Sequence, residues 1–317
     1  MPEVATVHTN VALTNIAIAY AANNIAAEAM CPDVPVNKRS DLYYTFDSAR
    51  RAIASTVNIQ RAPGTPARET DFAVSTSSYL ATDHALKAIV PDEEKENADP
   101  PIRPLIDKTE FLVQQLLTAQ EIDLKTQLDA SLTGAQTSDP TNEWDDYTNG
   151  DPYADMLLAI NTVEDGIGIK PNTMVMDTKV WRALKSHPDI LERIKYTGTS
   201  DNPAVASERG LAELFELDKV VIVSSFKNVA LEGQTASISR IWGSDVYVAY
   251  VAPTPGLKIP SLCYRFVWRP FTGSLRGWMV REWYDEERRG NQVEVSKYFD
   301  QKITLATAGY RLQNRLT

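Results

Sequence analysis

Apolar positions in this chain recur at two different periods, and the changes between them mark out the elements. The strongest helical signal is Leu105, Thr109, Leu112, Val113, Leu116, Leu117, Leu124, Leu128 and Leu132, spaced at threes and fours. Pro101 and Pro104 stand at the N-terminal end, where a helix tolerates proline. Gly134 lies just past the last leucine, as a C-terminal stop. The spacing predicts one helix of about 30 residues, a rod of roughly 45 Å. Before it, Pro91 to Pro101 (PDEEKENADPP) reads as an acidic, proline-bounded breaker.

Upstream the pattern is extended. Tyr43-Tyr44-Thr45-Phe46, Ala54 to Ile59 and Asp71 to Ser75 are β-prone runs on either side of the turn cluster Ala62-Pro63-Gly64-Thr65-Pro66. Residues 41–78 therefore read as a long two-stranded excursion with a Pro/Gly tip. It carries Arg50, Arg51, Arg61 and Arg68 against Asp41, Asp47, Glu69 and Asp71. An isolated hairpin is marginal in water, so a long one needs another surface, and a neighbouring subunit is the obvious one. Residues 1–37 have no Lys or Arg and little periodic apolar face. They read either as an arm that borrows a partner's surface or as a frayed, locally helical terminus.

Downstream of an acidic loop at 135–151, sheet and helix alternate. Tyr153, Met156, Leu157 and Ile160 mark a helix ending near Gly166, and Thr173 to Met176 a short buried strand. Asp177 or Thr178 caps a helix with Val180, Trp181 and Leu184, Pro188 starts another, and Ser207 precedes a third. Lys219 to Val223 is predicted as a buried strand, and Asp245 to Val251 as a further one. From Cys263 to Arg269 an aromatic face alternates with a charged one. Trp278–Glu286 and Gln292–Phe299 flank Gly290-Asn291 and predict a hairpin turning there.

Net charge is −10 and the sequence pI about 4.9, whereas a free-standing nucleic-acid reader is usually basic. The acidity is local: residues 121–155 hold nine acids and one base. Cys31 and Cys263 form no framework or metal cluster; one long-range bridge is open, but two reduced thiols are the expectation. His8, His84 and His187 lie in no ligand-spaced motif, so no metal, cofactor or catalytic residue is assigned. His187 before Pro188 reads as a turn residue. Gly166-Ile167-Gly168-Ile169 fails as a phosphate cradle, because a helix precedes it and Pro171 follows. Arg281 to Arg289 is the richest charged run. Two of its carboxylates within 282–287 would suit a carbohydrate-active hydrolase, but an alternating charged strand fits a solvated or subunit-contacting face better.

The order of parts resembles the major capsid proteins of tailed bacteriophages, with the Hong Kong phage-type capsid fold. The most telling run is Ile169 to Ile190. There Pro171-Asn172 leads into the apolar strand Thr173-Met174-Val175-Met176, then a short helix with Trp181, then His187-Pro188. Val280 to Tyr310 resembles the family's closing hairpin with its Ala308-Gly309 ending. The resemblance implies an α+β chain with an N-terminal arm (1–40), an extended β-hairpin loop (41–78) and a peripheral domain with a long spine helix (79–135, completed by 261–299). It further implies an axial α/β domain (136–260) and a C-terminal strand returning to the body (300–317).

By the same resemblance the chain would be a non-enzymatic shell subunit. It would form hexamers and pentamers of an icosahedral or prolate head, enclosing double-stranded DNA without sequence-specific binding. It would assemble in the host cytoplasm and reside in the virion capsid, with a portal protein as partner. An encapsulin-type compartment shares the fold and is the nearest alternative. Arg50, Arg51, Arg61 and Arg68 are expected to pair with a neighbour's carboxylates, with Glu282, Asp285 and Glu286 as candidates. Glu121, Asp129, Glu143, Asp145 and Asp146 are expected to face the lumen, where like charge repels DNA. No lysine lies between Lys38 and Lys87, so the covalent loop cross-link of some family members is not expected. A cementing or decoration protein is the candidate substitute. About 40 residues precede the loop, so a separate scaffolding protein is expected.

Overall fold

The computed structural model describes residues 26–45, 60–61, 63–66, 75–195, 207–230, 233–256, 259–269 and 277–317. In chain order the elements are α1 (Ala26–Met30), β1 (Asp33–Val36), β2 (Ser40–Thr45), β3 (Ser75–Leu80), β4 (Thr82–Pro91), α2 (Asp92–Glu96), α3 (Pro104–Ser131), β5 (Thr137–Ser138), α4 (Pro152–Ile167), β6 (Thr173–Asp177), α5 (Thr178–Ser186), α6 (Pro188–Lys195), α7 (Glu208–Leu214), β7 (Lys219–Val223), β8 (Phe226–Asn228), β9 (Ile238–Arg240), β10 (Val246–Ala249), β11 (Cys263–Trp268), β12 (Trp278–Asp285), β13 (Gly290–Ile303) and β14 (Gly309–Leu312).

The 28-residue α3 and the 14-residue β13 set the dimensions. At about 1.5 and 3.3 Å per residue they are roughly 42 and 46 Å long. Along β13, β12 pairs antiparallel over Gly290–Lys297, and β4 over Gly290–Phe299 on the other edge. Beyond β4, β11 takes Phe299 to Ile303, and β1 adds a parallel outer strand. The first half of α3 lies on this sheet, with Leu112, Val113 and Leu117 against Trp278, Val280, Val293 and Val295. Its second half enters a larger core, where Leu124, Leu128 and Leu132 join Met156, Val163, Met174 and Val248. The second five-stranded sheet has the order β5-β14-β10-β6-β7, and every residue of β6 and β10 is buried.

Local caps form as read. Asp177 accepts from Lys179 N at 2.8 Å, and Ser207 Oγ from Gly210 N at 3.0 Å. Helix α4 runs on to Gly168 rather than Gly166, because Gly168 takes the left-handed cap at φ 65°. His187 is the joint between α5 and α6, its Nδ1 accepting from Asp189 N at 3.3 Å.

Four expectations are corrected. The closing turn is Glu286–Arg289, and Gly290 is already in the ladder opposite Asp285. A Cβ at Gly290 would lie 2.5 Å from Val90 O, so the glycine serves close approach to β4 rather than the turn. Strand β7 is an edge strand with Val223 alone fully buried. The β11 face read as charged is interior: Arg265 is buried and pairs with Asp33 of β1. Cys31 and Cys263 are joined as a disulfide, with their Cα atoms 4.9 Å apart.

The expected arm and breaker also differ in part. Ala26, Ala27, Met30 and Cys31 are fully buried in this chain's own core, and β1 is part of its sheet. Residues 1–25 lie outside the described residues. The acidic breaker contains the single turn α2, preceded by β4, which the pattern missed because half its residues are exposed and its polar and apolar positions do not alternate.

A polar cluster ties the second half of α3 to the second sheet. Lys125 Nζ lies 2.8 Å from Asp129 and 3.0 Å from Asp245, and Arg311 Nη2 is 2.8 Å from Asp245. Tyr247 OH donates to Asp129 at 2.5 Å. Burial opposes ionisation of Asp245, but Lys125 and Arg311 outweigh it and hold its carboxyl below its ordinary value of 3.8. A depressed carboxylate contributes stability above its unfolded pKa and loses it as pH falls through the folded one. Asp245→Asn should therefore cost about 3 kcal/mol at pH 7. It should also flatten the loss of stability below about pH 4, as read by thermal melts across pH. Leu124→Ala, at a fully buried leucine in the second half of α3, should cost about 2–5 kcal/mol by urea midpoint.

Candidate functional site

The excursion is rooted by aromatic packing. β2 and β3 pair antiparallel from Ser40↔Leu80 to Thr45↔Ser75, which puts Tyr43 and Tyr79 on one face. Both are buried on Phe266, with ring centroids 5.0 and 4.5 Å away. The opposite face carries Leu42 at 63% exposure, Leu80 at 53% and Tyr44 at 43%. An antiparallel ribbon ordinarily turns polar residues to water on its second face, so this apolar one marks a contact surface. A second exposed apolar group, Phe226, Val229 and Ile238, sits on and beside the β8–β9 ribbon. Arg61 is exposed near the tip, where Gly64 takes φ 83°. Arg50, Arg51 and Arg68 lie outside the described residues.

Glu282, Asp285 and Glu286 come together at the end of the closing hairpin, but two are engaged within the chain. Glu282 Oε1 accepts from Asn291 at 2.7 Å. Asp285 accepts from Gln292 and from the amides of Glu287 (3.1 Å) and Arg288 (3.3 Å), holding the turn. Glu286 is in the turn and exposed, off the strand that carries Glu282. Asp285 is thus committed to holding the turn.

Sequence reasoning missed the neighbouring corner. Tyr284 OH donates to Asp92 at 2.6 Å, and Asp92 N to Arg289 O at 3.0 Å, so α2 packs on the hairpin turn. Glu93, Glu94 and Asp107 rim a groove of about 560 Å³ with exposed Ile102 and Phe111. Lys108 bridges to Glu94 at 2.6 Å. The acidic run before the long helix was its signal, read there as a breaker alone.

The acidic stretch does not act as one face. Glu121 is buried and accepts from Ala26 N at 2.9 Å. Burial pushes its carboxyl up, partly offset by hydrogen bonds from Ser225 and the Ala26 amide. Asp129 belongs to the Lys125–Arg311 cluster. The expected lumenal placement is therefore corrected for Glu121, which α3 turns into the fold, while Asp129 stays part-exposed and ion-paired within the chain. Glu143 and Asp146 are half-buried, with Asp146 held low by hydrogen bonds from Asn149 and Thr148. Asp145 is exposed. Among the described residues no group of three or more His, Cys, Asp or Glu could hold a metal ion.

No protein-family model matches the chain. It is 27% identical over 242 residues to the major capsid protein of Pseudomonas phage JBD67, covering 75% of each chain. It is 23% identical over 294 residues to the major capsid protein of Burkholderia phage BcepMu, covering 92% of this chain and 88% of that one. The fold matches a phage-related protein from Bordetella bronchiseptica at TM-score 0.74, with 23% identity and 98% of both chains covered. It matches the mature capsid of bacteriophage PhiM1 at TM-score 0.54, with 11% identity over 91% of this chain and 86% of that one. An encapsulin from Synechococcus elongatus aligns at TM-score 0.51, with 14% identity over 90% of this chain and 85% of that one. Two capsid proteins alike in sequence, and phage capsids alike in fold, agree with the exposed apolar ribbon and the long bridging helix, and together they support a phage major capsid protein, a shell subunit with the Hong Kong phage-type fold.

Proposed function

We propose that the subunit assembles into hexamers and pentamers that close an icosahedral or prolate head around double-stranded DNA, and that its role is structural and not enzymatic. The observation that carries this is the β2–β3 ribbon, anchored on one face by Tyr43 and Tyr79 and apolar on the other through Leu42 and Leu80. A ring of copies needs one patch to meet a different patch on the next copy, and a ribbon projecting from the body supplies one of the two. Many weak contacts of this kind add up through multivalency.

In this reading residues 41–78 are the extended loop and α3 is the spine of a peripheral domain completed by the sheet of β11–β13. Residues 136–260 form the axial domain, and 1–25 the arm. The arginines Arg50, Arg51, Arg61 and Arg68 pair across the subunit boundary. Their acceptors are Glu286 and the acidic rim Glu93 and Asp107, in preference to Glu282 and Asp285, which are already hydrogen-bonded. Asp145, with Glu143 and Asp146, faces the lumen. Partners are other copies, a portal protein, a separate scaffolding protein and a cementing protein, with assembly in the host cytoplasm. The encapsulin alternative rests on the fold likeness alone.

Negative-stain microscopy of the purified protein should show particles tens of nanometres across. Free subunits under all conditions would sink the reading, and closed shells that never take up DNA in infected cells would favour the encapsulin alternative. Arg61→Glu with Arg68→Glu should abolish or sharply reduce assembly while the subunit still melts cooperatively. Unchanged shells would remove the arginine pairing. Boiled, reduced particles should run as monomers, since the loop has no lysine; a covalent ladder would contradict this.

A further inference from the structure

Cys31 and Cys263 are the chain's two cysteines, and they meet where its two sheets adjoin. Cys31 follows α1, which packs against α3, β6 and β7. Cys263 is the first residue of β11, in the other sheet. The bond therefore links a plug seated on one sheet to the first residue of a strand in the other. Apart from it the plug is held by short elements at the joint. Its buried side chains are Ala26, Ala27 and Met30, and its leading amide bonds to Glu121, whose charge is disfavoured by burial. Strand β1 adds four residue pairs at the outer edge of its sheet, the Asp33–Arg265 ion pair, and Val34 and Val36 beside Phe266, while Pro35 has no N–H to give. Short segments at the edge of a sheet open locally at lower free energy than the central core. Both cysteines are fully buried when the segment is closed, so a small reductant reaches the bond through local opening; once reduced and open, both are accessible.

We infer that the Cys31–Cys263 pair is a redox latch: oxidation locks residues 26–36 across the joint between the two sheets, and reduction frees them to open while each sheet stays folded. Closure needs a two-electron oxidant, such as a small-molecule disulfide of the glutathione type. One cysteine thiolate attacks it and expels one glutathione thiolate. The second cysteine, losing its proton, attacks the mixed disulfide and expels the other. One protein S–S bond forms, and two small thiols carry away the electrons and protons. The bond closes a loop across a sequence separation of 232, and long loops gain most from cross-linking in the chain-entropy account.

The test compares purified, air-oxidised particles with and without a phosphine reductant. Alkylation after unfolding scores the thiols, and hydrogen exchange and thermal melting score the joint. Oxidised particles should show no free thiol and run as monomers on a non-reducing gel. Reduction should speed exchange in residues 26–36 at least tenfold, leave β6 and α4 unchanged, and lower the melting temperature by about 5–10 °C. The double variant Cys31→Ser with Cys263→Ser should match the reduced protein and ignore reductant. Free thiols in the oxidised particles, a disulfide-linked dimer, resistance to the reductant, or identical exchange and melting in both states would each overturn the latch; the reduced native protein decides the matter even if the variant fails to fold.

Discussion

One helix has to be buried against two different sheets along a single length. The first half of α3 presents Leu112, Val113 and Leu117 to β12 and β13, and the second half presents Leu124, Leu128 and Leu132 to the core under α4, β6 and β10. A helix that served one core would leave the other sheet's apolar face in water, at about 25 cal/mol for each Å² exposed. The relative placement of the two sheets therefore follows from the position of this helix. At the crossover the contacts turn polar. Gln301 donates to Gln120 O at 3.3 Å, Glu121 takes the Ala26 amide, and Lys125 reaches Asp245.

Those polar contacts are directional where the leucines are not. Apolar surfaces tolerate sliding, whereas a buried charge or amide left without its partner is costly. The C-terminal segment shows the same division of labour. Arg315 is fully buried, its Nη1 2.6 Å from Asp155 and its Nη2 2.9 Å from Ser138 O, while its carbonyl accepts from Trp144 N at 2.8 Å. Three distant stretches, the acidic loop, the start of α4 and the chain's last residues, are thereby held on one side chain. Much of the acidity that looked like a surface property is spent in such contacts.

Anchoring inside and apolar exposure outside together suit a shell subunit. Tyr43, Tyr79 and Phe266 fix the root of the loop, so whatever contact it makes is made from a rigid base. The hairpin end, with Asp285 holding its turn and Tyr284 on Asp92, is equally well braced. Rigid elements lose little conformational entropy on association, which matters when each contact is repeated many times.

Periodicity and capping made the element types legible: the leucines of α3, the run Thr173–Met176, Asp177 as a cap and Pro188 as a helix start depend on neighbours within one or two turns. The order of those elements was enough for the fold resemblance. The residues of the candidate site were less legible, because facing and pairing are set by residues far away in sequence. Whether Glu121 is solvated depends on Ala26, 95 residues earlier, and Arg265 is charged yet interior because Asp33 lies 232 residues before it. Strand β4 carries no alternation of its own and exists because β13 offers it an edge. The sequence by itself determined the type of those segments that carry a period or a cap of their own. Only the tertiary structure decided which charges are hidden, which cysteines meet and which face of the loop's root is left for a neighbour, since each of these is a contact between segments whose local patterns say nothing of one another.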